Sequence, residues 1–140
     1  MELLELVHTY EGSATKFTIG LFSSKAAACN AISQLIQQPG FCLYPDGFFL
    51  LPRSVQTQKP TLDKVYDSFI RFFPYEYHGG NYTEYDTSLG LFEEKEAAEQ
   101  MIARYLALNP AGVPGLERIC EVEVWFVDRI MQWSEGFTTE

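Results

Sequence analysis

The sequence is poor in the residues that bind metals and act as nucleophiles. It has 3 cysteines and 2 histidines among 140 residues, and no two of them show the short spacing of a zinc half-site. The odd number and wide spacing of Cys29, Cys42 and Cys120 argue against a disulfide framework. No glycine-rich phosphate loop, His-Glu-x-x-His or Gly-x-Ser-x-Gly element is present. We therefore predict no metal, no cofactor and no catalytic residue, and a protein that is not an enzyme.

Positive charge and long apolar runs are also scarce. The net charge is −9 and the 10 Lys and Arg residues are scattered, which argues against nucleic acid as a partner. No apolar run approaches the about 18 residues of a membrane span, so we expect no membrane partner. Met1 is followed by Glu2-Leu3-Leu4 rather than the basic start of a signal peptide, which predicts a cytoplasmic protein. The acidic balance favours solubility, and it also suits a basic protein partner.

The chain does contain an internal repeat. Residues 19–36 recur 70 positions later as residues 89–106, with seven of eighteen positions identical. A period of half the chain indicates duplication of one supersecondary unit. The identical pairs are Gly20/Gly90, Leu21/Leu91, Phe22/Phe92, Lys25/Lys95, Ala27/Ala97, Ala28/Ala98 and Ile32/Ile102.

Each half is predicted to have the order strand, strand, helix, strand. Alternating or β-branched runs predict the strands, and an apolar stripe at helical spacing predicts each helix. The segment 61–73 fits both a helical stripe and a strand, and the repeat favours a strand from Ser68 with a helical turn near 62–66. The predicted strands are 3–7, 16–22 and 48–55 in the first half and 68–77, 87–92 and 121–127 in the second, with helices 24–38 and 94–108.

These elements predict an α+β fold in one domain, residues 1–140. It would consist of a first ββαβ unit at 1–58, a connector at 59–67 and a second unit at 68–140. We expect one largely antiparallel sheet with both helices packed on one face. The helix residues expected to face the sheet are Ile32, Ile36, Ile102 and Leu106.

The second hairpin and the helix after it combine aromatic rings with carboxylates, a composition that suits a protein interface. The longer loop of this hairpin is expected to bring the two groups together. Carboxylates at 93, 94 and 96 also fit a solvated helix face, which is the alternative. The predicted binding residues are Tyr82, Glu84, Tyr85, Asp86, Glu93, Glu94 and Glu96.

A second candidate is the motif Trp133-Ser134-Glu135-Gly136-Phe137 near the end of the sequence. We expect Trp133 and Phe137 to pack on the domain while Gly136 permits a tight turn with positive φ. The alternative is that Trp133, Glu135 and Phe137 bind a partner.

Several short motifs together resemble a family of small bacterial domains of unknown function. They are Gly20-Leu21-Phe22-Ser23-Ser24-Lys25, Pro39-Gly40-Phe41, Pro45-Asp46-Gly47-Phe48 and the closing Trp133-Ser134-Glu135-Gly136-Phe137. The resemblance implies no established activity. Small acidic proteins of this kind resemble the immunity proteins encoded beside bacterial toxins.

We therefore predict a non-enzymatic intracellular binding protein, an immunity protein that neutralises a basic toxin domain. The alternative is a structural or regulatory domain that self-associates, as a homodimer, through exposed sheet edges.

Overall fold

The computed structural model describes residues 1–11, 16–74 and 85–138. Six strands, two α-helices and one short 3₁₀ helix are formed within these ranges. In chain order they are β1 (Glu2–His8), β2 (Phe17–Phe22), α1 (Lys25–Leu35), the 3₁₀ helix Phe41–Leu43, β3 (Phe48–Ser54), β4 (Lys64–Pro74), β5 (Tyr85–Phe92), α2 (Lys95–Leu108) and β6 (Leu116–Phe126).

The strands form two three-stranded sheets with the same topology. Their orders are β2-β1-β3 and β5-β4-β6, so the first strand of each ββαβ repeat lies in the centre. The α+β class and the tandem ββαβ order are therefore confirmed. The prediction of one continuous sheet is replaced by two sheets, because each repeat completes its hydrogen bonding around its own central strand.

The repeat extends to the irregularities of the strands. In the β1–β2 pair, Leu6 lies opposite Gly20 and the register shifts immediately afterwards. In the β4–β5 pair, Ser68 lies opposite Gly90 and the same shift follows. The two repeated glycines thus mark a β-bulge, a site where glycine within a strand is common.

The segment between the two repeats differs from its prediction. Strand β4 begins at Lys64, so the helical turn expected near 62–66 is wrong and the strand starts before the expected Ser68. Val65, Asp67, Ser68 and Ile70 are all buried along β4, and burial on both faces gives a run that periodicity cannot distinguish from a helical stripe. The predicted connector 59–67 is correspondingly shorter. The last predicted residues of this strand, 75–77, lie outside the described residues.

The chain divides into two compact units whose boundaries differ from those of the repeats. Unit 1 comprises residues 1–64 together with 125–140, and unit 2 comprises residues 65–124. The end of the second repeat therefore packs with the first repeat. The predicted units, 1–58 and 68–140, did not include this packing of residues 125–140 with the first repeat.

Unit 1 has the larger core among the described residues. Helix α1 begins after Ser24, whose Oγ accepts from the Ala27 amide at 3.1 Å, and it buries one stripe against the sheet. The core cluster consists of Leu6, Ile19, Phe22, Ala28, Ala31, Leu35, Phe41 and Phe137.

Unit 2 buries fewer apolar side chains within the described part of the chain. Its buried apolar residues are Val65, Ile70, Leu91 and Ala98. Ser68 occupies the position of the core residue Leu6 and donates from Oγ to the carbonyl of Ala98 in α2 at 2.7 Å. Leu106, expected against the sheet, is 38% exposed, whereas Ile102 is half-buried. The helical stripe therefore meets the sheet only along its first turns.

Candidate functional site

The predicted acidic face is only partly described. Glu94 is the residue before α2, Glu96 lies in its first turn, and both are exposed. Asp86 lies at the start of β5, where the Arg71 Nε donates to its carboxylate at 3.1 Å. Tyr82, Glu84 and the side chain of Tyr85 lie outside the described residues.

The described carboxylates of that face lie at opposite ends of one strand. Asp86 is the second residue of β5, whereas Glu93 and the helix follow its end at Phe92. An extended strand advances about 3.3 Å per residue, so about 20 Å separates the hairpin end from the helix start. Among the described residues, Asp86 is therefore apart from Glu93, Glu94 and Glu96, and one common binding face stays a prediction. The carboxylates at the start of α2 also have a sufficient role beside the helix dipole.

The closing motif packs on unit 1, as the first of its two interpretations predicted. The Phe137 side chain is 8% exposed and belongs to the core cluster, and its amide donates to the Pro39 carbonyl at 2.9 Å. Gly136 has φ 84, which confirms the predicted left-handed turn. Trp133 stacks on Phe17 with ring centroids 4.2 Å apart, while Glu135 is exposed.

The residues before this motif cover one edge of the unit 1 sheet. Val127 forms a parallel bridge with Leu21, and the amides of Asp128 and Met131 donate to the carbonyls of Leu21 and Ile19. A Cβ on the repeated Gly20 would lie 2.4 Å from the Arg129 carbonyl oxygen, so glycine makes room for this segment. We call residues 127–138 the closing segment.

A carboxylate anchors the closing segment beside the first helix. The backbone amide and the hydroxyl of Ser23 both donate to the Asp128 carboxylate at 2.7 Å. Asp128 itself has φ 64, a conformation that Asp tolerates better than most residues. The sequence offered no signal for this contact, because the two residues are 105 positions apart.

An open groove of about 510 Å³ lies at the end of the unit 1 sheet where β1 ends and β3 begins. Two large apolar side chains are exposed here, Leu43 at 63% and Phe49 at 51%. Exposed apolar side chains grouped in a concave surface are typical of binding sites. The lining residues, which we call the aromatic groove, are Thr9, Tyr10, Glu11, Leu43, Tyr44, Pro45, Asp46, Gly47 and Phe49.

Three stacked rings connect the core to this groove. Phe137 lies parallel to Tyr10 with centroids 5.5 Å apart, and Tyr10 lies parallel to Tyr44 at 4.4 Å. Tyr10 therefore has a ring partner on each side. Tyr44 is at the end of the stack. Within the described residues, Tyr10 is the one ring that contacts it.

A buried histidine holds the turn that forms the groove. His8 is fully buried between the rings of Phe41 and Phe48, and its Nε2 lies 2.8 Å from the Tyr44 carbonyl oxygen. Because a carbonyl only accepts, Nε2 carries the proton, and within the described residues Nδ1 has no hydrogen-bond partner. One hydrogen bond and tight ring contacts thus fix Tyr44.

The charged side chains of the groove are both acidic. They are Glu11, after β1, and Asp46, in the turn before β3, and both are exposed. In the described part of the chain neither forms an ion pair with a lysine or arginine. Neither residue was among the predicted binding residues, because the two come together only through the β1–β3 pairing.

The sheet of unit 1 also contains a buried carboxylate whose charge is compensated by two basic side chains of the same unit. Glu5, in the central strand, is buried and accepts from the Thr18 hydroxyl at 3.2 Å. Arg53 forms an ion pair with it, and Lys16 Nζ lies 3.8 Å away. Unit 2 has Asp67 at the position of Glu5, where it accepts from the Ser88 hydroxyl.

Further carboxylates surround Asp67 in unit 2. Burial first, and then the charges of Asp67 and Glu121, raise the pKa of Glu123 on β6, and Arg71 opposes them. The raised pKa means that ionised Glu123 is less stable in the folded protein than in the unfolded chain. Its contribution to stability is therefore full at acidic pH and declines as the pH rises through the raised value.

Glu123→Gln is expected to raise the melting temperature of the protein at pH 7, because it removes this carboxylate charge. The gain should vanish below about pH 4.3, the ordinary pKa of a glutamate, where Glu123 is protonated in both states. Thermal unfolding followed by circular dichroism at both pH values measures the difference. Glu117→Gln, an exposed change on the same strand, is the control. An equal gain at both pH values would contradict the electrostatic explanation.

Within residues 1–11, 16–74 and 85–138, no three His, Cys, Asp or Glu side chains are grouped to hold a metal ion. In the same residues, neither helix has the length and apolar character needed to cross a membrane. Comparisons with family models, with curated proteins and with solved structures find no match to this chain.

Proposed function

We propose that this protein is a non-enzymatic binding protein, an immunity protein that neutralises a bacterial toxin domain by occupying its surface. The observation that carries the proposal is the aromatic groove. It presents exposed Leu43 and Phe49 beside the carboxylates of Glu11 and Asp46. Aromatic anchors at the centre with polar and charged groups at the rim form the usual composition of protein interfaces.

The charge of the chain indicates the kind of partner. With a net charge of −9, the protein attracts a basic surface over long range and accelerates the encounter. A nuclease domain has such a surface, because its active site holds phosphates. An acidic protein that binds there would exclude the substrate.

Growth protection tests this function. The protein is co-expressed in a bacterial host with the toxin domain encoded next to its gene, and we expect growth to continue where the toxin alone arrests it. A catalytically inactive toxin sets the unarrested growth rate. Arrest that the protein fails to relieve, together with absence of a complex on size-exclusion chromatography, would overturn the proposal.

The outer strand β3 favours a second candidate, self-association. Phe49 and Leu51 project from this strand and are exposed, and an apolar outer strand is a template for pairing with another chain. Pro52 on the same strand removes a backbone donor and limits such pairing. Sedimentation equilibrium distinguishes the two candidates, since a mass that rises with concentration would support the homodimer.

A further inference from the structure

We propose that the aromatic groove binds an arginine side chain from a basic segment of the protein partner. This inference rests on the proposed function and specifies the chemistry of its site. It predicts that the guanidinium group lies against the Tyr44 ring, on the side opposite Tyr10, and pairs with Glu11 and Asp46.

The ring arrangement supports a planar cation. Tyr10 already stacks with both Phe137 and Tyr44. Tyr44 ends the stack, and within the described residues its second face has no ring partner. A guanidinium group stacks on such a face through both its charge and its plane.

The charges of the groove support the same occupant. Glu11 and Asp46 are its only charged lining residues, and both lie among exposed groups without a cation of this chain beside them in the described ranges. A carboxylate accepts two parallel hydrogen bonds from a guanidinium group, whereas an ammonium group offers one point of charge. An anionic or neutral segment would leave both carboxylates uncompensated.

The apolar side chains at the opening of the groove provide a contact surface for the aliphatic part of an arginine side chain. Its aliphatic stem needs an apolar surface when the head group is bound, and Leu43 and Phe49 are the exposed residues that provide one. His8 holds the Tyr44 carbonyl and Tyr10 stacks on the Tyr44 ring, so the ring is already positioned before binding. Preformed geometry reduces the entropic cost of association.

Fluorescence anisotropy with short labelled peptides tests the inference. One probe is a Gly-Ser peptide that carries several arginines, and the second has lysines at the same positions. We expect the arginine peptide to bind about 2–5-fold more tightly than the lysine peptide, because stacking adds to charge. Equal affinities for the two peptides would overturn the assignment of arginine.

Matched charge variants separate the groove from the general acidity of the protein. Glu11→Gln with Asp46→Asn and Glu94→Gln with Glu96→Gln remove the same number of charges, the second pair at the start of α2. We expect about 10-fold weaker binding of the arginine peptide for the groove pair and less than about 2-fold for the helix pair. Equal losses for both pairs would contradict the groove. If the groove pair fails to fold, Phe49→Ser provides a second test. Phe49 is 51% exposed, so its substitution should weaken peptide binding without unfolding the protein.

The growth assay distinguishes failure of the site from failure of the function. Loss of toxin protection by the groove pair, with protection by the helix pair, supports both proposals. If the Glu11→Gln, Asp46→Asn variant still protects against the toxin, the immunity function is supported and the proposed arginine site is overturned. Peptide binding without protection by the wild-type protein overturns the function alone.

Discussion

Phe137→Ala is expected to lower the free energy of unfolding by about 3–5 kcal/mol, the usual cost of removing a buried phenylalanine side chain. Phe137 is 8% exposed, lies in the core cluster of unit 1, and contacts Phe41 edge-to-face with centroids 5.0 Å apart. Chemical denaturation followed by fluorescence measures the loss. Removal of residues 132–140 is expected to cost at least as much, because it also removes the stack of Trp133 on Phe17. An unchanged stability would show that the closing segment contributes only to binding.

A second substitution separates core volume from ring stacking at the same position. Phe137→Leu keeps most of the apolar volume and should cost less than Phe137→Ala. It still removes the parallel ring that supports Tyr10, and with it the stack that leads to Tyr44. We therefore expect Phe137→Leu to weaken binding of the arginine peptide even where the protein stays folded. Thr138→Ala, an exposed neighbour, is the control for both measurements.

This link joins the two interpretations of the closing motif. The motif is a structural lock, since Phe137 fills the core and its amide bonds to Pro39. Through Tyr10 it also positions the groove in which we place the partner. A substitution in the motif should consequently affect stability and binding together, whereas a substitution at Phe49 should affect binding alone.

The repeat made the fold predictable from sequence, because local patterns in both halves agree. The second strand, the helix start and the apolar stripe recur at the same spacing, and both sheets are built on them. The end of α1 was predicted less well: the helix was expected to reach residue 38, next to Pro39-Gly40, and it ends at Leu35. The start of β4 was ambiguous, because a strand buried on both faces lacks alternation.

The candidate site was not predictable, because it depends on long-range contacts. The rings of Tyr10, Tyr44 and Phe137 are far apart in the chain and adjacent in space. The sequence drew attention instead to carboxylates at 86 and 93–96, which the longer loop of the second hairpin was expected to bring together. Strand β5 separates them along its length, and that length is set by pairing with β4 rather than by its own residues.

Gly136→Ala is expected to cost about 2–5 kcal/mol, the second large effect on stability. Its φ of 84 is strained for any residue with a Cβ, at about 1–2 kcal/mol. A Cβ here would also lie 2.1 Å from the Pro39 carbonyl oxygen, the acceptor of the Phe137 amide. Overpacking of this kind adds about 1–3 kcal/mol, because backbone is unable to yield as a flexible side chain does.

Gly115→Ala separates the two causes. Gly115 has φ 81, almost the value of Gly136, but a Cβ built on it would meet no atom within 4 Å. Substitution there should cost only the backbone strain of about 1–2 kcal/mol. The excess loss in Gly136→Ala, measured by denaturation of both variants under the same conditions, is then the energy of the contact with Pro39. Equal losses would mean that the closing segment moves away from Pro39 at little cost, in which case Phe137 and not the turn holds it in place.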